Sequence, residues 1–269
     1  VDIASSADIT VLAVGANWDS DGEGGDRATL SLSTNQTALA KAIFALNKPV
    51  ILVLQGGRPF AIPEYYSQAA AVINAFFPGQ SGGQAISDVL FGLVNPGGKI
   101  PLSVPYDVGT LPVFYNYKDT ARYRVYADLP WAPSYSFGYG LSYTSFETSG
   151  FTAMSTSGAE TFKAGDTITF SLEVKNTGEM EGSYVAEVYL LGRLSSITQP
   201  LKQLMAFQRV YLDVSESKKV EMELEVDRYL PILNREMEWE LERAGYTFAL
   251  LEDARWDADT GVNVTLSCV

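Results

Sequence analysis

The sequence predicts an α/β domain followed by an all-β sandwich, and three observations carry that prediction. Over residues 1–105, short apolar, β-branched runs alternate with segments of helical periodicity. From Pro105 to about Gly150 that periodicity vanishes while aromatic residues accumulate, from Tyr106 to Phe146. After Gly150, strands of alternating apolar and polar residues recur with turn residues between them.

In the first segment, Ile9–Val14 and Val50–Gln55 have the composition of parallel strands buried on both faces. Between them, Thr34 is placed to cap a helix whose Leu39, Ile43 and Leu46 share one face, and Asn47-Lys48-Pro49 ends it. Together these form a β-α-β unit. Ala71–Phe77 leads through Pro78-Gly79-Gln80-Ser81-Gly82-Gly83 into a second helix, Gln84–Leu93, with Ile86, Val89, Leu90 and Leu93 directed inward. Asn95-Pro96-Gly97-Gly98 stops that helix, and Lys99–Val104 reads as a further strand. The expected division is therefore 1–105 α/β, 106–150 an aromatic strap or linker, and 151–269 a β-sandwich. Its strands are expected at Thr167–Val174, Ser183–Leu191, Gln203–Leu212, Lys218–Val226 and Gly245–Leu251.

Composition narrows the chemistry. The 269 residues carry 32 acidic and 19 basic side chains, a net charge of −13, so a nucleic-acid partner is not expected. The absence of His removes Ser-His and Cys-His nucleophile pairs and His-based metal sites within the chain. No metal or organic cofactor is expected. Cys268 is the single cysteine, so no internal disulfide can form. No apolar run approaches the ~18 residues of a membrane-crossing helix, and no membrane partner is expected. The opening Val1-Asp2-Ile3-Ala4 reads as the start of a processed or truncated piece. Asn35-Gln36-Thr37 and Asn263-Val264-Thr265 match the N-glycosylation sequon, with Asn35 and Asn263 as acceptors, and point to a secreted, extracellular protein.

The densest polar loop, Asn17 to Arg27, follows the first strand, where ligands of open parallel sheets bind. A solvated, glycine-rich acidic turn fits the same composition, while the ligand spacing of a calcium loop is absent. The chemical reading is that one carboxyl is a general acid/base. Glu23 lies between glycines that permit close backbone approach, and an apolar wall such as Trp18 would raise its pKa toward the working range. Gly79-Gln80-Ser81-Gly82-Gly83 has the form of a nucleophile elbow, but Ser81 lacks a His base and the motif reads as a strand-to-helix turn. Pro96-Gly97-Gly98-Lys99 lacks the spacing of a phosphate loop and reads as a turn. Arg122 and Arg124, set among tyrosines, suit carboxylate binding, stacking on a sugar, or pairing across an interface.

Five motifs in order carry a family resemblance: Glu23-Gly24-Gly25-Asp26-Arg27 with Leu30-Ser31-Leu32 and Gln36; Lys48-Pro49 with Val50–Leu54; Phe77–Gly83; Pro96–Pro101; and Tyr135–Phe146. In these the chain resembles glycoside hydrolase family 3, and Val174–Gly178 with Leu201–Leu204 and Phe207 resembles its fibronectin type III-like domain. The resemblance implies a partial α/β sandwich, mostly parallel, followed by a fibronectin type III-like β-sandwich. It further implies the C-terminal part of a retaining, exo-acting β-glycosidase of β-glucosidase type that releases terminal β-linked sugars from oligosaccharides. The family's (β/α)8 barrel, which supplies the nucleophilic Asp, has no counterpart here, so the chain would be inactive without that N-terminal segment, its expected partner. By that resemblance Glu23 takes the acid/base position and Asp26 and Arg27 hold the loop in shape, while the polarity of the loop suggests Trp18, Asp19 and Asp21 for the leaving-group side of the cleft. A β-xylosidase or xyloglucan-oligosaccharide exo-hydrolase of the same family, a non-catalytic carbohydrate-binding module, and a homo-oligomer all stay open on these residues.

Overall fold

The computed structural model describes residues 1–118, 126–158, 160–255 and 261–269, with all their side chains except those of Trp18 and Asp19. Arg122 and Arg124 lie outside the described residues. The described residues form two compact units. Residues 1–94, 104–113 and 126–135 belong to the first, and 95–103, 114–118 and 136–269 supply the second. The stretch 106–150 is thus shared between the units.

The first unit runs α1 (Asp2–Ser6), β1 (Thr10–Gly15), α2 (Trp18–Asp21), α3 (Thr34–Phe44), β2 (Val50–Gln55), α4 (Pro63–Tyr66), β3 (Ala71–Phe76) and α5 (Gly82–Leu90). Its three strands form a parallel sheet in the order β1-β2-β3, with Thr10 opposite Val50 and Gly15 opposite Gln55. Leu12, Val14, Leu52 and Leu54 share one core with Ala40, Ile43 and Phe44 of α3. Burial on both faces holds for the central β2, where Val50, Leu52, Val53 and Leu54 are all buried. It fails for β1, where Leu12 and Val14 are buried on one face while Val11 on the other is 51 % exposed.

Three local expectations are corrected. Ser33, not Thr34, is the N-cap of α3, in extended backbone and without a side-chain cap bond. The buried stripe of α3 is Ala40, Ile43 and Phe44, an i, i+3, i+4 face, whereas Leu39 lies at the edge of that face and is exposed. Asn47 does end the segment, in left-handed backbone with φ 53°. Helix α5 stops at Leu90, followed by Gly92 at φ 71°, so Leu93 lies beyond it and is exposed. The strand expected over 99–104 does not form. Val104 makes only an isolated bridge with Tyr135, and Pro101 has no N–H to extend a ladder.

The second unit contains β4 (Phe146–Ser155), β5 (Thr161–Phe162), β6 (Thr167–Asn176), β7 (Gly182–Leu191), β8 (Lys202–Leu212) and β9 (Ser217–Glu225). It continues with α6 (Val226–Tyr229), β10 (Ile232–Leu233), β11 (Trp239–Glu240), β12 (Gly245–Leu251) and β13 (Val262–Cys268). A five-stranded sheet in the order β5-β13-β12-β7-β8 faces a three-stranded sheet, β4-β6-β9. The pairings are antiparallel except β13 with β5. Period-2 alternation buries Ile168, Phe170, Leu172 and Val174 of β6 against Phe248, Leu250 and Leu266 of the other sheet. The architecture is the expected one, an α/β layer structure followed by an antiparallel β-sandwich.

Within the second unit, aromatic residues of the intervening stretch have defined partners. Tyr115 stacks on Phe137 at 4.3 Å, meets the edge of Tyr189, and its hydroxyl accepts from the Leu204 N–H at 3.2 Å.

Candidate active site

The first strand delivers its loop to the carboxyl end of the parallel sheet. Gly15 must be glycine, since its φ is 148° and a Cβ would fall 1.8 Å from the Gln55 carbonyl oxygen. Just beyond it, the Ala16 N–H donates to the Gln55 carbonyl at 2.7 Å, and the Gly15 N–H donates to Gln36 Oε1 at 3.1 Å. The β1 exit is therefore tied to β2 and to α3.

Asn17 then opens α2 with a reciprocal cap. Its Oδ1 accepts from the Ser20 N–H at 3.1 Å while Ser20 Oγ accepts from the Asn17 N–H at 3.0 Å. Helix α2 lasts one turn, to Asp21, and the chain bends through Gly22-Glu23-Gly24-Gly25. The bend is closed by the Gly25 N–H donating to the Gly22 carbonyl at 2.9 Å, with Gly24 at φ 78°. Glu23 projects from this turn as an exposed carboxylate.

Asp21 is held differently from its exposed neighbour. Its side chain is 7 % exposed and Oδ1 accepts from Arg58 Nε at 2.8 Å, so the residue expected to face the leaving group is occupied by an ion pair. The Arg58 guanidinium also lies 4.9 Å from the centroid of the Phe60 ring. Asp26 and Arg27 are exposed, and the bonds that close the loop are those of Asn17, Ser20, Gly22 and Gly25. Trp18 and Asp19 lie on α2, and their side chains fall outside the description. Asn35 is exposed in the first turn of α3, and Asn263 is exposed on β13.

Sequence reasoning overlooked Arg58. The signal was available: Gln55-Gly56-Gly57-Arg58 follows β2 directly, and a charged residue after a glycine pair at the carboxyl end of a parallel strand borders the same crevice as the β1 loop. Ser81 is the exposed N-cap residue of α5, in the turn closed by the Gly82 N–H and the Gly79 carbonyl at 3.1 Å. Among the described residues, no group of three or more His, Cys, Asp or Glu side chains is arranged to hold a metal ion.

Residues 1–143, just over half the chain, match the glycosyl hydrolase family 3 C-terminal domain. The chain belongs to glycosyl hydrolase family 3. Residues 184–254 match a fibronectin type III-like domain, in agreement with the second unit. Among curated relatives of the family, a periplasmic beta-glucosidase of Salmonella typhimurium is 37 % identical over 90 % of this chain and 32 % of its own length. A beta-xylosidase of Formosa agariphila is 36 % identical over 99 % of this chain and 36 % of its own length. The chain thus spans about a third of the relatives it matches. Among solved structures, the beta-glucosidase of Listeria innocua in complex with glucose superposes with a TM-score of 0.87 at 30 % identity, covering 98 % of this chain and 37 % of that one.

Proposed function

We propose that this chain is the C-terminal part of a retaining, exo-acting β-glycosidase of β-glucosidase type, and that Glu23 is its general acid/base. The observation that carries the reading is the presentation of Glu23: an exposed carboxylate on a glycine-flanked bend, at the carboxyl end of the parallel sheet, on a loop capped by Asn17 and Ser20. The relatives named beta-glucosidase supply the sugar class.

Retention requires a second carboxyl on the opposite side of the glycosidic bond, about 5–5.5 Å from the first. In the proposed mechanism an Asp of an N-terminal barrel segment attacks the anomeric carbon while the Glu23 carboxyl gives its proton to the departing oxygen. The glycosidic C–O bond breaks and a glycosyl ester forms. The Glu23 carboxylate then takes a proton from water as the water oxygen bonds the anomeric carbon, and the Asp leaves as carboxylate. Both steps use the same exposed carboxyl. Asp26 and Arg27 are assigned to the shape of that bend and Trp18 and Asp19 to the wall on its leaving-group side, while Asp21 is engaged by Arg58.

A β-xylosidase is the second reading, favoured by the Formosa agariphila relative that matches 99 % of the chain. The presence of an exo-alpha-(1->6)-L-arabinopyranosidase among the relatives, 30 % identical over 97 % of the chain, fits a sugar choice made outside these residues. An extracytoplasmic location is proposed from the relative named periplasmic and from the exposure of both sequon asparagines.

The test is Glu23→Ala in the enzyme that carries this chain. Turnover of an unactivated β-linked disaccharide should fall by about 10²–10⁴-fold, while a dinitrophenyl glycoside, whose leaving group needs no proton, should still form the glycosyl-enzyme. Azide should restore turnover of the activated substrate by replacing the missing base. Wild-type turnover of the disaccharide would assign the role elsewhere.

A further inference from the structure

The exposed Glu23 bend hangs from a helix of four residues, and an isolated turn of that length does not hold its own geometry. Something outside it must fix where α2 ends. In the first unit that contact is made by Asp21, the last residue of α2 and two positions before Glu23, through the 2.8 Å bond from Arg58 Nε. We propose that Arg58 is the positioning residue for the Glu23 bend, acting through Asp21; the inference rests on the acid/base reading of Glu23.

Arg58 is itself on a locked base. The Gly56 N–H donates to the Phe76 carbonyl at 2.9 Å, which ties the β2 exit to the end of β3. Gly56 has φ 155°, and a Cβ there would lie 3.1 Å from the Phe60 ring and 3.2 Å from the Ala16 Cβ. A Cβ on Gly57 would fall 2.5 Å from the Phe77 ring. Phe60, over which the guanidinium lies, is 2 % exposed. The backbone carrying Arg58 is thus tied to β3 and packed closely against Phe60 and Ala16, whereas the bend carrying Glu23 is open to solvent. The ion pair transmits the order of the first to the second.

The pair is poorly suited to a purely stabilising role. Asp21 Oδ2 and Arg58 Nη1 are both buried and have no hydrogen-bond partner, so only one bond of a potential fork is made. A half-satisfied buried pair repays little of its desolvation cost, and what it retains is a fixed geometry between two chain segments 37 residues apart.

The experiment compares Arg58→Met, Arg58→Lys and Glu23→Ala in the full enzyme on an unactivated disaccharide and on a dinitrophenyl glycoside. A displaced acid should cost about 10²-fold in kcat/KM on the disaccharide, with a much smaller loss on the activated substrate, and Arg58→Lys should recover part of it. In the Glu23→Ala background, Arg58→Met should add nothing on the disaccharide. If Arg58→Met gives no folded protein, Arg58→Lys, which keeps the charge and loses the Nε–H donor, carries the same comparison. Equal losses on both substrates, no loss on either, or full additivity with Glu23→Ala would overturn the proposal. Glu23→Ala without leaving-group discrimination would instead overturn the acid/base reading on which it rests.

Discussion

Glu187 of β7 is 4 % exposed, and burial pushes its carboxyl above the usual carboxylate range. The Tyr189 hydroxyl donates to its Oε2 at 2.5 Å and Lys99 pulls the other way, while Asp253 and Glu252 add to the elevation. The sign for stability follows. A raised folded-state pKa means the native protein holds this proton more tightly than the unfolded chain does. The protonated form's contribution is complete below the unfolded value of roughly 4.3 and is lost as pH rises through the folded one, each unit of elevation being worth about 1.4 kcal/mol. Glu187→Gln keeps an acceptor for Tyr189 and removes the titration. Its Tm should match wild type near pH 3 and exceed it by a few degrees at pH 7, as read by thermal unfolding followed by circular dichroism across that range. Equal Tm values at pH 7 would mean that the buried carboxyl bears no burial cost.

Asp166 in the same unit shows the opposite direction from a comparable position. Its carboxyl accepts from Thr156 Oγ1 at 2.7 Å, Ser157 Oγ at 3.0 Å and the Lys163 N–H at 2.9 Å, which hold it below the usual range. Neither direction was legible in the sequence. The Glu187 run, Tyr184-Val185-Ala186-Glu187-Val188-Tyr189, is apolar but for Glu187, and residue order does not record that the carboxyl is covered, with Gly138 packed against it.

At the scale of the element, Gly138 brings its segment against Glu187. It has φ 83°, and a Cβ would lie 2.5 Å from Glu187 Oε2 and 3.2 Å from the Asp253 Cα. Gly165 has a similar φ of 87° with nothing within 4 Å of the added carbon. The pair separates backbone strain from crowding. Gly165→Ala should cost about 1–2 kcal/mol, the penalty of left-handed backbone alone, and Gly138→Ala should cost about 1–3 kcal/mol more from overpacking, as measured by urea denaturation. Equal costs would show that the segment yields at no energetic expense.

The elements themselves were legible where pattern and burial coincide. Strands β1, β2, β6, β7, β8, β9 and β12 follow apolar runs or strict alternation, because packing on one or two faces writes itself directly into residue order. The errors fell where neighbours decide. Lys99–Ile100 and Val104 have strand composition, but Pro101 breaks the ladder between the bonds that Ile100 makes with Tyr139 and that Val104 makes with Tyr135. Strands β4 and β13 were missed. The first begins at Phe146 inside the aromatic stretch, and the second carries Asn263, Thr265 and Ser267 on its exposed face, with only Leu266 and Cys268 buried.

Across the whole molecule, the proposed chemistry is unevenly supplied. On the reading proposed above, this chain supplies the acid/base carboxyl of Glu23, whereas double displacement requires a nucleophile facing it across the glycosidic bond. Expressed alone, the chain should leave nitrophenyl β-glucoside and β-xyloside intact, and joining it to the barrel segment should produce hydrolysis of one of them, the preferred sugar being set by that segment. Hydrolysis by the chain alone would refute the shared site. Sugar binding by the chain alone, measured calorimetrically and unchanged on joining, would make it a carbohydrate-binding module instead.

The order of motifs along the chain, from Glu23-Gly24-Gly25-Asp26-Arg27 to Tyr135–Phe146, was enough to indicate the family, and hydrophobic period was enough to divide α/β from all-β. Such features are local: a turn needs its glycines and a strand its alternation whatever lies around it. Tertiary structure alone decided that Asp21 meets Arg58, that β1 packs on one face while β2 packs on two, and that Glu187 is cut off from water. These depend on which distant residues converge, and a carboxylate's chemistry is governed by its surroundings in space, which residue order does not record.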